Sequence, residues 1–318
     1  MKAPGLPMLQ VILRRLVMMI PVLIGITLIA FVLLQVMPGD PASRAMGTRA
    51  SPEDLAAMRK LWGLDQPVWV QYLYFLRDCL TGSFGVSIFH KLPVIDLVAE
   101  RLPFTLGIVA YSTVIALLVA LPFAILAALK RGTAIDGAVR QIFVALIAMP
   151  PFWLCYVLIL WLALGMGWFP TGGIGQGIWQ NVYRLFLPSL VVGLSTAALI
   201  QQSLRAALID TMKADYVDTA RAKGLTGAQV FRRHVLPNSL ISTISIIGVR
   251  VSWIIGGTVV VEKIFSVPGL GSLLIDAIVS RDLPVIRGLT VFFAIMVVTV
   301  NLITDICYAL ADPRVRLE

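Results

Sequence analysis

The sequence LVMMIPVLIGITLIAFVLLQVM occupies residues 16–37, directly after Arg14 and Arg15, and contains no charged residue. A helix needs about 20 predominantly apolar residues to cross the hydrocarbon core of a bilayer, so this stretch is long enough. A signal peptide is the alternative, but its apolar region has only about 7–15 residues and ends at a small-residue cleavage site, which is not evident here. We therefore interpret residues 16–37 as a first membrane-spanning helix.

Five further apolar runs follow, at residues 102–129, 141–169, 185–204, 239–261 and 288–311. Hydrophobic residues make up 58% of the 318 positions and charged residues only 14%, whereas a soluble domain has about 25% charged residues. The mean hydropathy is +0.90. This pattern predicts an all-α integral membrane protein with six transmembrane helices.

The basic residues of the short loops predict the orientation of these helices. If the N-terminus is cytoplasmic, the inside loops and tails hold fourteen Lys and Arg residues, and the short outside loops hold four. Short loops rich in Lys and Arg remain on the cytoplasmic side. Both termini are therefore predicted to be cytoplasmic, and the net charge of +9 reflects topology, with no nucleic-acid partner.

The predicted organisation has three parts. Residues 1–101 hold the first helix and a long external segment, residues 102–311 form a five-helix core, and residues 312–318 form a cytoplasmic tail. In the external segment, Ser51-Pro52-Glu53-Asp54 predicts a helix start, with a serine N-cap, proline next and acids in the first turn. Aromatic residues follow it, so the segment either lies on the outer leaflet or the bundle, or docks an external partner.

The loop at residues 205–238 is long and basic for so apolar a chain. It reads as two short helices, the first capped by Asp210 and ending at Gly224, where glycine tolerates a left-handed conformation. Thr226 is expected to cap the second helix, which is expected to run to Leu236 and stop at Pro237. This arrangement is either a docking element facing the cytoplasm or a solvated loop.

A third connection, residues 262–287, is predicted to be external. The sequence Pro-Gly-Leu-Gly at positions 268–271 predicts a tight turn, followed by a short helix to about Ser280 that ends at residues 281–284. This element either caps a translocation pathway from outside or is a purely structural turn.

Enzymatic and metal-binding roles find no support among the sequence motifs. Three cysteines and two histidines have no metal-site spacing, so no metal centre is expected. No phosphate-binding G-x-x-x-x-G-K-S/T loop and no hydrolase or metalloprotease motif is present. A secondary transporter usually places ionisable groups at mid-membrane, and here only Arg250 and Asp305 lie deep in an apolar run.

At the 205–238 loop the sequence resembles the motif E-A-A-x3-G-x9-I-x-L-P of bacterial ABC importer permeases. Asp218-Thr219-Ala220, Gly224 and His234 through Leu236-Pro237 match its spacing, with Asp218, Thr219 and His234 replacing the glutamate, first alanine and isoleucine. These departures are typical of the peptide-importing branch. The strings at residues 37–41, 63–67, 261–265, 268–271 and 312–314 are also similar to the first permease of dipeptide, oligopeptide, glutathione and nickel importers.

The resemblance implies a type I ABC importer permease in a bacterial inner membrane. Its partners would be a second, homologous permease, two cytoplasmic ATPase subunits that bind ATP and Mg²⁺, an external substrate-binding protein and membrane lipid. The chain itself would hold no cofactor and no catalytic residue. The residues that the resemblance assigns to ATPase coupling are Asp215, Tyr216, Asp218, Thr219, Ala220, Lys223, Gly224, Phe231, His234 and Pro237.

Short peptides are the leading substrate class, with glutathione and chelated nickel as alternatives. Three polar residues in the last two apolar runs are candidates for the pathway: Arg250, Asn301 and Asp305. A charge at such depth is costly and should face the bundle interior or water. Three roles for Arg250 follow: it lines the pathway, it pairs with Asp305 or a partner permease, or it extends its long side chain towards the membrane surface.

Overall fold

The computed structural model describes residues 8–36, 51–61 and 63–311, together with Ser43. In these ranges all regular elements are helices, apart from one β-bridge between Val86 and Pro93. The helices are, in chain order, α1 (Met8–Val36), α2 (Pro52–Leu61), α3 (Val68–Thr81), α4 (Val94–Leu129), α5 (Ala134–Ala148), α6 (Pro151–Leu158), α7 (Ile178–Arg184), α8 (Phe186–Thr211), α9 (Asp215–Ala222), α10 (Gly227–Val230), α11 (Leu236–Ile264), α12 (Leu270–Ser280) and α13 (Leu283–Ala311). Two helices continue in π-helical geometry: α6 through Ile159–Gly165, and α10 through Phe231–Val235. The predicted all-α fold is confirmed.

Three of the predicted runs correspond to single helices that are long and apolar enough to cross a membrane: Val94–Leu129, Phe186–Thr211 and Leu283–Tyr308. Two bent helix pairs would raise the number of spans among the described residues to five. Helix α1 contributes a shorter apolar stretch, Val17–Val32. The total of six spans stays a prediction, and the tail at residues 312–318 lies outside the described residues.

The sequence suggested one helix for the run at residues 141–169, but the structure breaks this run into two helices. Helix α5 ends at Ala148 and α6 begins at Pro151, and the two axes differ by 102°. Pro150 and Pro151 cause this break, because each lacks an N–H for the helical ladder and restricts the residue before it to extended backbone. Met149 indeed has extended backbone angles, with φ −77° and ψ 122°.

Helices α4 and α8 form the centre of the bundle. Small residues allow their close approach: Ala116, Ala120 and Ala197 are fully buried. Gly193 on α8 lies so close to α4 that an added Cβ would fall 2.8 Å from Ile115 Cγ2. Small residues at a helix interface are the usual means of tight packing in membranes. This pair is therefore the scaffold on which the connecting segments are placed.

The long segment after α1 folds back onto that helix. Ser51 Oγ accepts the backbone N–H of Asp54 at 3.1 Å, which confirms the predicted start of α2. Tyr72 on α3 shares a 3.1 Å hydrogen bond between its hydroxyl and that of Thr27 on α1, and Phe75 is buried beside Phe31. Helix α3 therefore lies on the bundle. The string at residues 37–41 lies outside the described residues.

Candidate functional site

The 205–238 segment turns sharply at Gly224. Helix α9 begins with Asp215 and Asp218 in its first turn and ends at Ala222. Gly224 follows with φ +82°, in the left-handed region, and its N–H donates to the carbonyl of Arg221 at 2.9 Å. An added Cβ at Gly224 would meet no atom within 4 Å. The glycine is therefore required by the backbone conformation and not by crowding.

Thr226 opens the second short helix, as predicted. Its hydroxyl accepts the N–H of Gln229 at 3.4 Å, and its own N–H donates to Gln229 Oε1 at 2.9 Å, which is a capping box. The predicted end of this helix at Leu236 is wrong. The chain continues without a break through the π-helical turn Phe231–Val235 into α11. Pro237 fits there because it directly follows the π-helical turn, which already interrupts the regular ladder of N–H to carbonyl bonds that a proline would break.

The predicted role of Asp210 is also wrong. Helix α8 extends to Thr211, so the backbone of Asp210 is helical and cannot adopt an N-cap conformation. Helix α9 begins five residues later, after Ala214, whose side chain offers no cap.

The inner face of the segment packs against the bundle. Val217, Ala220, Val230 and Val235 are buried in one apolar cluster with the C-terminal ends of α4 and α8. Ala220 is only 5% exposed. Its side chain therefore packs against the bundle of the chain itself.

The outer face of the segment is exposed. Tyr216 is 46% exposed, and Asp218 forms a 3.0 Å ion pair with Arg221 in which both side chains face solvent. Phe231 and His234 are half-buried on the π-helical turn. The remaining predicted coupling residues that the structure leaves exposed are Asp215, Thr219, Lys223, Gly224 and Pro237.

The intramembrane polar residues lie on two packed helices. Asn301 on α13 accepts a hydrogen bond at Oδ1 from Ser252 on α11 at 2.8 Å. Gly248 faces α13 too, because an added Cβ there would overlap the side chain of Thr304. Arg250 is two residues from both Gly248 and Ser252, about 200° around the helix, and therefore points away from α13. A direct pair with Asp305 finds no support in this geometry.

The chain matches a family model over residues 120–317, described as binding-protein-dependent transport system inner membrane component. The N-terminal model of the same transport systems matches residues 8–109. The chain belongs to this family. It is a multi-pass permease of a bacterial inner membrane.

Relatives and solved structures agree with this assignment. The permease is 41% identical over 312 residues to the oligopeptide transport system permease protein AppB of Bacillus subtilis, covering 96% of this chain and 98% of the relative. It is 35% identical over 311 residues to the glutathione transport system permease protein GsiC of Escherichia coli K12, covering 98% and 100%. The inward-facing MetNI methionine ABC transporter has the same fold, with a TM-score of 0.58 at 17% identity over 68% of this chain and 96% of that one. The predicted type I ABC importer permease fold is therefore confirmed.

A buried carboxylate at the other end of the permease was not predicted. Glu262, near the end of α11, is fully buried and accepts the hydroxyl of Thr105 at 2.7 Å. It also accepts the backbone N–H groups of Gly271 and Ser272, at 2.7 and 3.0 Å, at the start of α12. An anion is favourable at a helix N-terminus. The tight turn and the short helix to Ser280 are as predicted, and Glu262 holds them to the bundle.

A second polar contact that the sequence did not reveal joins α5 to α8. Arg205 Nε and Nη2 donate to Asp136 Oδ1 and Oδ2 at 2.7 and 2.6 Å, and Asp136 Oδ2 also accepts the N–H of Gly132 at 3.1 Å. The only sequence signal is that both residues are charged and lie near apolar runs, Asp136 shortly before residues 141–169 and Arg205 directly after residues 185–204. In the described part of the permease, no group of three or more His, Cys, Asp or Glu residues is arranged to hold a metal ion.

Proposed function

We propose that this permease forms, with a second homologous permease, the translocation pathway of an ATP-driven importer for short peptides. The support is the naming of its relatives: oligopeptide transport at 41% identity over nearly the whole chain, and glutathione transport at 35%. Glutathione is itself a modified tripeptide, so both names belong to one chemical class. Chelated nickel stays an alternative substrate, and uptake measurements in liposomes distinguish it from peptides.

The observation that carries the coupling mechanism is the exposed corner at Gly224 on a buried base. Val217 and Ala220 attach α9 to the C-terminal ends of α4 and α8, while Asp218, Lys223 and Gly224 are exposed. A rigid, protruding corner of this kind suits a cleft on a cytoplasmic ATPase subunit. We assign Asp215, Tyr216, Asp218, Thr219, Lys223 and Phe231 to that contact, and Ala220, His234 and Pro237 to its support.

The ATPase activity of the importer then resides in two partner subunits, which bind ATP and Mg²⁺. In the proposed topology six helices cross the membrane, both termini are cytoplasmic, and the Gly224 corner faces the ATPases. The opposite face, which carries α2, α3 and α12, receives the external substrate-binding protein. That protein delivers the peptide and sets most of the substrate specificity.

Arg250 is the candidate pathway residue. It points away from α13 and lies beside a strip of exposed apolar residues on α11 that includes Val249, Trp253 and Val260. Such a strip faces lipid, the pathway or the second permease, and a guanidinium beside it that borders the pathway is suited to the terminal carboxylate of a peptide. We therefore propose that Arg250 contacts the passing peptide.

The test is uptake by the complete importer, with both permeases, the ATPases and the binding protein, reconstituted in liposomes. We expect ATP-dependent uptake of labelled di- to pentapeptides that requires the binding protein and is absent with a hydrolysis-deficient ATPase. Nickel chelates serve as the competing substrate, and calorimetry on the binding protein measures its affinity for each. Uptake driven by a proton or sodium gradient without ATP would contradict the importer mechanism, and tight binding of only nickel chelates would contradict the peptide assignment.

A further inference from the structure

A cavity of about 440 Å³ opens between the α4–α5 connection, α5 and the end of α8. It lies on the same side of the permease as the Gly224 corner, because Lys213 on its rim is two residues before α9. Its charged lining residues are Arg131, Asp136, Arg140, Arg205, Asp210 and Lys213.

The floor of this cavity is an ion pair whose carboxylate is hydrogen-bonded within the chain. Arg205 binds Asp136 through two hydrogen bonds, and the N–H of Gly132 completes the shell of that carboxylate. The side chain of Arg205 is 21% exposed and that of Asp136 is 10% exposed. This pair therefore fixes the positions of α5 and α8 and leaves the other charges of the cavity to face solvent.

The rim carries an excess of positive charge. Arg131, Arg140 and Lys213 are exposed and come from three separate segments. Within the described ranges, none of the three forms an ion pair. Asp210 is the one rim acid among the lining residues, so four cations and two acids leave a net charge of +2. Guanidinium and ammonium donors converging on an open cavity suit a phosphate anion.

Two exposed apolar side chains lie close in sequence to residues that line this cavity. Leu129, two residues before Arg131, is 55% exposed, and Ile135, next to Asp136, is 46% exposed. Both stand at the ends of helices in candidate membrane spans. A ligand with a phosphate group and attached hydrocarbon chains matches this combination better than a free phosphate ion does, because the hydrocarbon would cover these exposed side chains.

We propose that this cavity binds the headgroup of an anionic phospholipid, with Arg131, Arg140 and Lys213 as the phosphate ligands. Basic pockets between transmembrane helices at the membrane surface are suited to anionic headgroups, and each Lys or Arg near such a surface strengthens binding about fivefold. The site adjoins α9 through Lys213, so a bound lipid lies directly beside the proposed coupling corner. The binding itself does not depend on the proposed peptide substrate.

The experiment measures lipid binding to the purified, delipidated importer complex by native mass spectrometry. Phosphatidylglycerol and phosphatidylcholine with identical acyl chains are titrated separately. We expect phosphatidylglycerol to bind more tightly than phosphatidylcholine. In the variant Arg131→Gln/Arg140→Gln/Lys213→Gln, the affinity for phosphatidylglycerol at one site should fall on the order of 100-fold. All three residues are exposed and the Asp136–Arg205 pair is retained, so assembly should persist and is checked by size-exclusion chromatography.

Two further variants make the test specific. Lys130→Gln removes an exposed charge from the same connection, at a residue that does not line the cavity, and should weaken binding less than Arg131→Gln alone does. Asp210→Asn removes the rim acid and should strengthen binding about fivefold. Equal binding of both lipids, a triple variant that binds like the parent, or a weaker Asp210→Asn variant would each overturn the proposal. Inorganic phosphate that displaces phosphatidylglycerol at equal concentration would overturn the lipid as the source of the phosphate.

Discussion

Thr105 donates its hydroxyl proton to Glu262 over 2.7 Å, although 157 residues separate them in the sequence. The same hydroxyl oxygen accepts the N–H of Leu270 at 2.8 Å. One side chain on α4 thus serves both the buried carboxylate of α11 and the first residue of α12. Gly269 lies so close to the carboxylate that an added Cβ would overlap it, so the contact is tight.

The first prediction is that Thr105→Val destabilises the permease. Valine keeps the shape of threonine but leaves Glu262 and the Leu270 N–H each short of one buried partner, at about 1–3 kcal/mol per group. Thermal unfolding of the purified complex in detergent measures the effect. Thr113→Val is the matched control on the same helix, because the Thr113 hydroxyl donates only to Val109 of that helix. Equal losses in both variants would contradict the bridging role of Thr105.

The second prediction concerns the corner at Gly224. Gly224→Val places a β-branched residue at φ +82°, which costs at least about 1–2 kcal/mol and should distort the corner. We expect the complex to assemble while peptide uptake and transport-coupled ATP hydrolysis fall at least tenfold. Gly82→Val is the control, since Gly82 has φ +71° and equally open surroundings far from the corner. Normal coupling in Gly224→Val would remove the corner from the proposed ATPase contact.

The third prediction separates the readings of Arg250. Because Arg250 faces away from α13, Arg250→Gln and Arg250→Met should assemble normally and transport peptides poorly, with little loss for Arg250→Lys. Uptake in liposomes and size-exclusion chromatography measure the two properties. Loss of the assembled complex would indicate a structural contact with the second permease instead. Parental behaviour of all three variants would exclude both roles.

The fourth prediction tests the orientation in the membrane. Phe89, between α3 and α4, is 71% exposed, and Ala228 in α10 is exposed as well. In intact cells, a membrane-impermeant maleimide should label Phe89→Cys, and it should label Ala228→Cys only after the membrane is opened. The reverse pattern would invert the proposed topology.

The fifth prediction is that native Cys79 contributes little background to that labelling. Burial, with a smaller contribution from the charge of Asp78, raises the pKa of the Cys79 thiol to about 11. The thiolate is the reactive form, and a raised pKa lowers its fraction at pH 7 to about one in ten thousand. Alkylation of Cys79 should therefore accelerate about tenfold per pH unit up to about pH 11, which mass spectrometry of the labelled peptide can follow. A rate independent of pH between 7 and 10 would contradict this.

The sequence predicted those parts of the fold that depend on local pattern. Apolar length identified α4, α8 and α13, and cap chemistry identified the starts at Ser51 and Thr226. It did not predict the 102° turn between α5 and α6, because hydropathy measures length and not direction. The proline pair at 150–151 was the available signal.

Contacts between distant residues were beyond sequence reasoning. The sequence placed Glu262 at the end of a span, in the family-like string 261–265, but not its contacts, since the N–H groups that it accepts come from a helix whose approach is set by tertiary packing. Asp136 and Arg205 are 69 residues apart, and nothing in either local sequence indicates their pairing. Pro237 was read as a helix stop because its tolerance in the first turn of α11 depends on a π-helical turn that the sequence does not signal.

The unbroken passage from α10 into α11 has a mechanical consequence. The helix is bent by 49° between Ile241 and Ile246, and beyond the bend it runs to Ile264, a distance of about 28 Å. Because the two parts of this helix lie at an angle, a rotation of the part before the bend about its own axis would move the part after the bend sideways. A turn of about 10° at the Gly224 end would carry the Glu262 end through roughly 4 Å by this geometry. If the Gly224 corner is the ATPase contact that we propose, a small rotation there would displace the opposite end of α11 sideways.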